Sequence, residues 1–278
     1  MQIVSSFIRE PLKVVNKAPK LLKTAYLHRT ASIHPEPIII LGNPKAGTTV
    51  IAALLGKATG KEVIIDPLYQ IKNNVNFRKK LQAKKVTFKN FIQKHKFYFS
   101  SEIIKDPYFI FIYEEILECF PKAKKIFISR EPSDNIRSIL NRLKIPGNLQ
   151  FLDDYYKNKL PKEGAWKLVL EGQLPFVPGN NYIENLAYRW NLATDIYMAN
   201  RDYIVLIRYE DFMKNKVDAI THLAKHIGLD PIHDISDRVN VKYQPSGNRN
   251  VDLIEIFGKD NLQKIETICG ERIKYFDY

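Results

Sequence analysis

The sequence feature that most constrains the fold is a glycine-rich turn between a short apolar run and a helical pattern. The run Pro37–Leu41 reads Pro-Ile-Ile-Ile-Leu, which is typical of a buried parallel strand. The turn Gly42–Gly47 follows it, and Thr48–Thr59 carries apolar residues at helical spacing. A strand that passes through such a turn into a helix presents backbone N–H groups to an anion. The pattern therefore predicts a phosphate-binding loop.

Strand and helix patterns alternate along the rest of the chain. Further strands are predicted over Glu62–Asp66, Lys125–Arg130 and Tyr203–Arg208. Helices are predicted over Ser133–Leu143, Asp211–Ile227, Thr87–Lys96, Tyr108–Cys119, Ile183–Ala199 and Asn261–Ile273. This alternation favours an α/β fold, a single domain with a central parallel sheet flanked by helices. We expect the domain to span residues 37–278, with residues 1–36 as a basic arm and the irregular residues 144–182 as an insertion that carries binding loops.

The position of the lysine separates this loop from that of the nucleoside triphosphatases. Gly42 and Gly47 have the spacing of Gly-x4-Gly-Lys-Ser/Thr, but Thr48 follows and the lysine is Lys45, inside the turn. Phosphoryl transfer also needs Mg²⁺ that is partly held by a carboxylate at the end of a neighbouring strand. The predicted strand that begins at Lys125 ends instead in Arg130, which would repel a metal ion. We therefore expect a metal-free site.

The loop resembles a known family motif. Pro44–Thr49 reads Pro-Lys-Ala-Gly-Thr-Thr, and it is similar to the 5′-phosphosulfate loop of the PAPS-dependent sulfotransferase superfamily. The resemblance implies a P-loop-like sulfotransferase fold, with PAPS as the sulfuryl donor and PAP as the product. It also implies that the phosphosulfate is bound by Lys45, Ala46, Gly47, Thr48 and Thr49.

A second motif supports the first. Arg130, followed by Ser138 eight residues later, resembles the 3′-phosphate motif of the same superfamily. Arg130 leaves the carboxyl end of a predicted strand, where open α/β sheets bind ligands, and its planar fork suits a phosphate. More weakly, Arg208–Phe212 implies that Tyr209 lies near the adenine, and Tyr243–Asn250 implies that Arg249 contacts the 3′-phosphate. The end of the chain resembles the last helix of the superfamily and its closing tyrosine, Tyr278.

The catalytic base follows from the branch that the chain resembles. In the phenol and steroid branch a Lys-x-His step carries the base, but Lys105-Asp106-Pro107 has proline in place of that histidine. The carbohydrate and protein-tyrosine branches use a carboxylate. In the protein-tyrosine branch this carboxylate follows the phosphate-loop helix, at the edge of the next strand, where this chain has Asp66.

We hypothesise that Asp66 is the base and that Lys45 and Lys105 are the cations near the reacting group. Glu102 and Asp106 are the reserve candidates for the base. A carboxylate directly before a proline at a strand end is also typical of a turn former, so this alternative for Asp66 stays open.

The net charge of +13 is unevenly distributed. Residues 72–96 hold nine basic and no acidic side chains, which indicates an anionic partner at one face. We hypothesise a carbohydrate acceptor, with acidic glycans as the form that the charge favours. The alternative is a solvated lysine-rich helix whose Phe88, Phe91 and Ile92 face the core.

The N-terminal arm mixes apolar and basic residues, so it either contacts an anionic membrane surface or packs on the domain. No run of about 18 apolar residues and no secretory-signal order occurs, and only two cysteines are present. We therefore expect a cytoplasmic protein that is at most associated with a membrane.

Two rival functions remain at this level. A metal-dependent P-loop kinase acting on a nucleoside or sugar would need a lysine after Gly47. A non-enzymatic module that binds nucleic acid or an anionic membrane would not need Arg130, Ser138 and the loop in register, so we do not expect a nucleic-acid partner.

Overall fold

A five-stranded sheet organises the computed structural model, which describes residues 30–71, 77, 80, 81, 84–161, 164–173, 178–241 and 251–278. The strands are β1 (Ile38–Gly42), β2 (Val63–Ile65), β3 (Ile103–Lys105), β4 (Lys124–Ser129) and β5 (Ile204–Arg208), and their order in the sheet is β2-β3-β1-β4-β5. β1 pairs in parallel with β3 and β4, and β2 pairs in parallel with β3. All five residues of β1 are buried, as its continuous apolar run predicts for a central strand.

The described helices are α1 (Thr48–Thr59), α2 (Pro67–Gln70), α3 (Phe88–Lys94), α4 (Tyr113–Cys119), α5 (Pro132–Leu143), α6 (Asp154–Lys159), α7 (Ala165–Leu170), α8 (Tyr182–Ala199), α9 (Tyr209–Lys214), α10 (Lys216–His226) and α11 (Leu253–Tyr275). Short 3₁₀ turns cover Lys96–Phe99, Phe109–Ile112 and Arg201–Tyr203. The α/β class that the alternating pattern predicted is confirmed. None of the helices in the described ranges is long and apolar enough to span a membrane.

The chain divides into two compact units. The first takes its described residues from Met1–Gly42, Gly47–Ile128 and Arg201–Tyr243, and in it α1 packs on α10 and on the strands β1, β2 and β3. The second takes its described residues from Asn43–Ala46, Ser129–Asn200 and Gln244–Tyr278, and in it α8 packs on α5, α7 and α11.

Helix α1 has the bounds that the sequence predicts, and its ends show why. Gly47 precedes the helix in a left-handed conformation (φ 95°), and Gly60 ends it in another (φ 69°). The N–H of Gly60 donates to the carbonyl of Gly56, which closes the last turn as an αL cap does. Both ends of α1 therefore depend on glycines that can be recognised in the sequence.

The structure differs from the predicted elements at several places. The helix predicted over 261–273 begins at Leu253 and is interrupted at Gly258 (φ 68°), and only 113–119 of the helix predicted over 108–119 is α-helical. β3 is missing from the predicted strands because Ile103–Lys105 has only two apolar residues before Lys105, yet it lies between β1 and β2. The predicted helix 211–227 is two helices, because Asn215 ends the first and its side-chain oxygen accepts the N–H of Asp218 as the cap of the second. The irregular segment 144–182 contains the short helices α6 and α7.

Candidate active site

The phosphate loop leaves β1 in a conformation that needs a glycine. Gly42 has φ 142°, and a Cβ atom there would lie 2.6 Å from the carbonyl oxygen of Ile128 on β4. Beyond it the N–H of Ala46 donates to the carbonyl of Asn43 at 3.2 Å, which closes a tight turn around Lys45. Lys45 is left-handed (φ 67°), a conformation that costs a non-glycine residue about 1–3 kcal/mol. Left-handed residues in such turns form concave sets of N–H groups that bind anions.

Two buried side chains of the second unit hold this turn. Nη1 of Arg130 donates to the carbonyl of Lys45 at 3.0 Å, and Nδ2 of Asn135 donates to the carbonyl of Pro44 at 3.0 Å. A hydrogen bond contributes about 0.5–1.5 kcal/mol net, and one from a charged donor about 1.5–3 kcal/mol. The two bonds are therefore large enough to offset the strain of a left-handed Lys45.

The backbone around Arg130 is itself fixed. The indole N–H of Trp190 donates to the carbonyl of Arg130 at 2.9 Å, and both residues are buried. The hydroxyl of Tyr278 donates to the hydroxyl oxygen of Ser129 at 2.7 Å, one residue before Arg130. The structure thus places the terminal tyrosine at the end of β4.

Arg130 shares an acidic neighbour with a second buried arginine. Its Nη2 lies 3.5 Å from Oδ2 of Asp134, and Nη2 of Arg137 lies 2.6 Å from Oδ1 of the same residue. The other acid nearby in sequence, Glu131, instead accepts the N–H groups of Ser133 and Asp134 at the start of α5. Burial raises the pKa of Glu131, although these hydrogen bonds act to lower it. Asp134 is therefore shared by two guanidinium groups.

Ser138, the other predicted 3′-phosphate residue, lies on α5 and is half-buried. It is four residues after Asp134 and three after Asn135, so it belongs to the same side of the helix. Across the residues that the structure describes, its hydroxyl makes no hydrogen bond. Its side chain is therefore available to a ligand beside Arg130.

The first unit brings together Lys105, Asp66 and Thr49. Nζ of Lys105 donates to Oδ1 of Asp66 at 2.7 Å and to the hydroxyl oxygen of Thr49 at 3.0 Å. The parallel register aligns Lys105 with Ile40 and Ile65, so it lies at the carboxyl end of β3. The Lys105 side chain is only 2% exposed, and burial of a charge at this level requires a partner such as Asp66.

Asp66 has features of both a turn former and a base, the two roles that the sequence left open. It is left-handed (φ 52°) and immediately precedes α2, as a turn former would be. Its side chain is nevertheless 28% exposed, and only Oδ1 is bound by Lys105. Within the described ranges Oδ2 has no hydrogen-bond partner, so one carboxylate oxygen is held by a cation and the other can accept a proton.

The reserve bases have structural roles. Oδ2 and Oδ1 of the buried Asp106 accept the backbone N–H groups of Leu68 and Tyr108, both at 2.9 Å. Glu102 precedes β3, at the end opposite to Lys105, and pairs with Lys61 at 2.6 Å. Burial acts to raise the pKa of Glu102, but the hydrogen bond and charge of Lys61 lower it overall. Asp106 is therefore excluded as the base by its burial, and Glu102 by its position at the other end of β3.

Tyr209 borders the phosphate loop. It is the first residue of α9 after β5, and a Cβ atom on Gly47 would lie 2.4 Å from Cδ2 of its ring. Gly47 is thus required both by its positive φ and by this aromatic ring. The position of the ring near adenine stays a prediction, and Arg249 lies outside the described residues.

The basic segment is described only in part. Phe88 and Ile92 on α3 are buried, and Phe77 stacks on Phe91 with ring centroids 3.8 Å apart. This aromatic packing is the one expected of a helix that turns its apolar face to the core. The described lysines that are exposed to solvent in this segment are Lys80, Lys84, Lys85, Lys89 and Lys94, while Lys72, Arg78 and Lys79 lie outside the described residues.

Sequence reasoning did not identify Asn135 or Trp190. Each acts on a backbone carbonyl that is distant in sequence, 91 residues away for Asn135 and 60 for Trp190. No motif or local pattern signals such a contact. As for metals, no cluster of three His, Cys, Asp or Glu side chains occurs among the residues that the structure describes.

No protein-family model matches the sequence, and a search of curated proteins finds no significant match. Solved structures do match. Sulfotransferase STF9 from Mycobacterium avium shares 13% identity, with 92% of this chain and 80% of that chain covered and a TM-score of 0.51. Sulfotransferase STF1 from Mycobacterium tuberculosis H37Rv shares 11% identity, with 89% and 80% covered and a TM-score of 0.51. The chain therefore has the α/β fold of the sulfotransferases.

Proposed function

We propose that this chain is a PAPS-dependent sulfotransferase that moves a sulfuryl group to a hydroxyl or amine of an acceptor. The observation that carries the proposal is the 3.0 Å hydrogen bond from Arg130 to the carbonyl of Lys45. It joins the two motifs, one for each phosphate end of the donor, through residues that are 85 positions apart. A generic anion-binding turn would not need this partner.

The residues suit the two ends of PAPS. Lys45 supplies a cation and the residues Ala46 to Thr49 supply amides and hydroxyls for the 5′-phosphosulfate. Arg130 and Ser138 supply a guanidinium and a hydroxyl for the 3′-phosphate. In this proposal Tyr209 contacts the adenine, and Arg249 adds a second cation at the 3′-phosphate.

In the proposed sulfuryl transfer, Asp66 is the base. The acceptor oxygen or nitrogen forms a bond to sulfur while the bond between sulfur and the 5′-phosphate oxygen breaks in line with it. The electron pair of the broken bond stays on that oxygen, where Lys45 stabilises the charge of the leaving PAP. The proton of the acceptor passes to Oδ2 of Asp66, while Lys105 holds Oδ1 at 2.7 Å.

The acceptor that we propose is a carbohydrate, with acidic glycans favoured. The support is the basic segment, which combines exposed lysines on and before α3 with nine basic side chains in residues 72–96. Transfer to neutral and to sulfated or carboxylated glycans, compared at low and high salt, tests this point. Equal rates on both glycan classes at both salt concentrations would contradict an acidic acceptor.

One binding experiment separates the candidate functions. Thermal unfolding is measured with PAP, with AMP, with ATP plus Mg²⁺, and with a DNA duplex. A sulfotransferase is stabilised most by PAP, because only PAP engages both the loop and Arg130. Greater stabilisation by ATP with Mg²⁺ would support a kinase, and stabilisation by DNA alone would support a binding module.

A further inference from the structure

Asn135 is a buried side chain that contacts the phosphate loop. It is 1% exposed and lies in the first turns of α5, and its Nδ2 donates to the carbonyl of Pro44 at 3.0 Å. The next carbonyl of the loop, that of Lys45, accepts Nη1 of Arg130 at 3.0 Å. Two consecutive carbonyls of the phosphate loop are therefore held by two side chains of one strand–helix segment.

This pair of contacts fixes the direction of the loop N–H groups. In a planar trans peptide the N–H points away from the carbonyl of the same unit. When Asn135 holds the carbonyl of Pro44, the N–H of Lys45 must therefore point to the opposite side. When Arg130 holds the carbonyl of Lys45, the N–H of Ala46 points back to Asn43, which accepts it at 3.2 Å. The orientations of both peptide units that flank the left-handed Lys45 are thus fixed.

We propose that Asn135 is a positioning residue of the phosphate loop, which holds Lys45 and its N–H in the orientation that receives the 5′-phosphosulfate. Arg130 also holds the loop, through the carbonyl of Lys45, and it binds the 3′-phosphate. Binding of one phosphate end of the donor therefore stabilises the site for the other end. This inference rests on the proposed function and adds to it a residue that touches neither phosphate.

The first test compares the binding of PAP with the binding of two nucleotides that each carry one of its phosphate ends. AMP carries only the 5′-phosphate and adenosine 3′-phosphate only the 3′-phosphate, and both are titrated by calorimetry beside PAP. Two variants, Asn135→Ala and Asn135→Leu, are expected to weaken AMP binding about tenfold, the effect of one lost hydrogen bond. The leucine keeps the branched shape of asparagine but has no hydrogen-bond donor. Binding of adenosine 3′-phosphate should change less than about twofold.

The matched control is Asn141→Ala, an exposed asparagine near the end of the same helix, which should change neither affinity. Equal losses for both ligands in the Asn135 variants would show a merely structural role and overturn the inference. Unchanged AMP binding in both variants would overturn it as well.

A second measurement needs no nucleotide. Hydrogen exchange of the Ala46 amide reports the turn directly, and it should quicken about tenfold in Asn135→Ala. The Ile145 amide, which donates to the carbonyl of Leu140 at 3.1 Å after α5, is the internal reference and should not change. If the wild type binds no PAP, the proposed function fails, while this exchange result still decides whether Asn135 holds the loop. An unchanged Ala46 rate would overturn the inference.

Discussion

Two buried cations, Lys105 in the first unit and Arg130 in the second, differ in how they meet a carboxylate. Lys105 and Asp66 form a neutral pair at 2.7 Å, in which one cation meets one carboxylate. Arg130 and Arg137 both lie beside Asp134, at 3.5 Å and 2.6 Å, so this carboxylate is shared between two guanidinium groups.

The difference indicates two kinds of chemistry. A neutral pair in which the acid is partly exposed suits a carboxylate that is held in place and accepts a proton. A guanidinium whose carboxylate is shared with a second arginine suits the recognition of an anion, because its planar fork can also bind a phosphate. In the proposed function, the Lys105–Asp66 pair serves proton transfer and Arg130 serves phosphate binding.

The largest expected effect is on the neutral pair. Asp66→Asn should lower the rate of sulfuryl transfer from PAPS about 10²–10⁴-fold, because it removes the base, while PAP affinity stays within about twofold. Radiolabelled sulfate transfer and calorimetry measure the two quantities. Glu102→Gln, at a half-buried acid beside the other end of β3, is the control and should leave transfer unchanged. Full activity in Asp66→Asn would remove it from the role of base.

The next effect concerns Arg130. Arg130→Lys should weaken PAP binding about 10–100-fold, because a lysine cannot keep both the loop carbonyl and a bidentate phosphate contact. Calorimetry with PAP checks this, with Arg142→Lys, at an exposed arginine near the end of α5, as its control. Equal PAP affinities for Arg130→Lys and wild type would mean that the arginine serves the loop only.

A smaller effect concerns Asp134. Asp134→Asn removes the shared carboxylate, and we expect PAP to bind about threefold more tightly, since a half-exposed pair contributes little energy but lowers the local potential. The melting temperature should fall because Arg137, which is 3% exposed, loses its ion pair with Asp134. Weaker PAP binding would show instead that Asp134 orients Arg130.

The smallest effect is a change in pH dependence. Burial raises the pKa of Glu131 above its ordinary value of 4.5, so the folded state retains this proton better than the unfolded state. The stabilisation is complete below 4.5 and is lost as the pH rises through the folded pKa. Glu131→Gln should remove this slope, with a difference in melting temperature of about 2 °C across the window. Parallel melting curves of both proteins over this range would contradict the prediction.

Local sequence patterns were enough to predict the helices and strands whose signal lies within a few neighbouring residues. The bounds of α1 follow from Gly47 and Gly60, and the strands β1, β2, β4 and β5 follow from apolar runs. β3 was not predicted because it has only two apolar residues before Lys105, and the break at Asn215 was not predicted because one residue can either continue a helix or cap the next one. In both cases the deciding contacts are with neighbours that the sequence does not reveal.

The sequence by itself determined the α/β class, the phosphate loop with Lys45 inside its turn, and the candidates Asp66, Lys105, Arg130 and Ser138. Only the tertiary structure decided their partners. Asp66 and Lys105 are 39 residues apart and meet because β2 and β3 pair in parallel register, and Asn135 reaches a carbonyl 91 residues away. Such contacts depend on strand pairing and helix packing, which bring together residues that no local pattern connects.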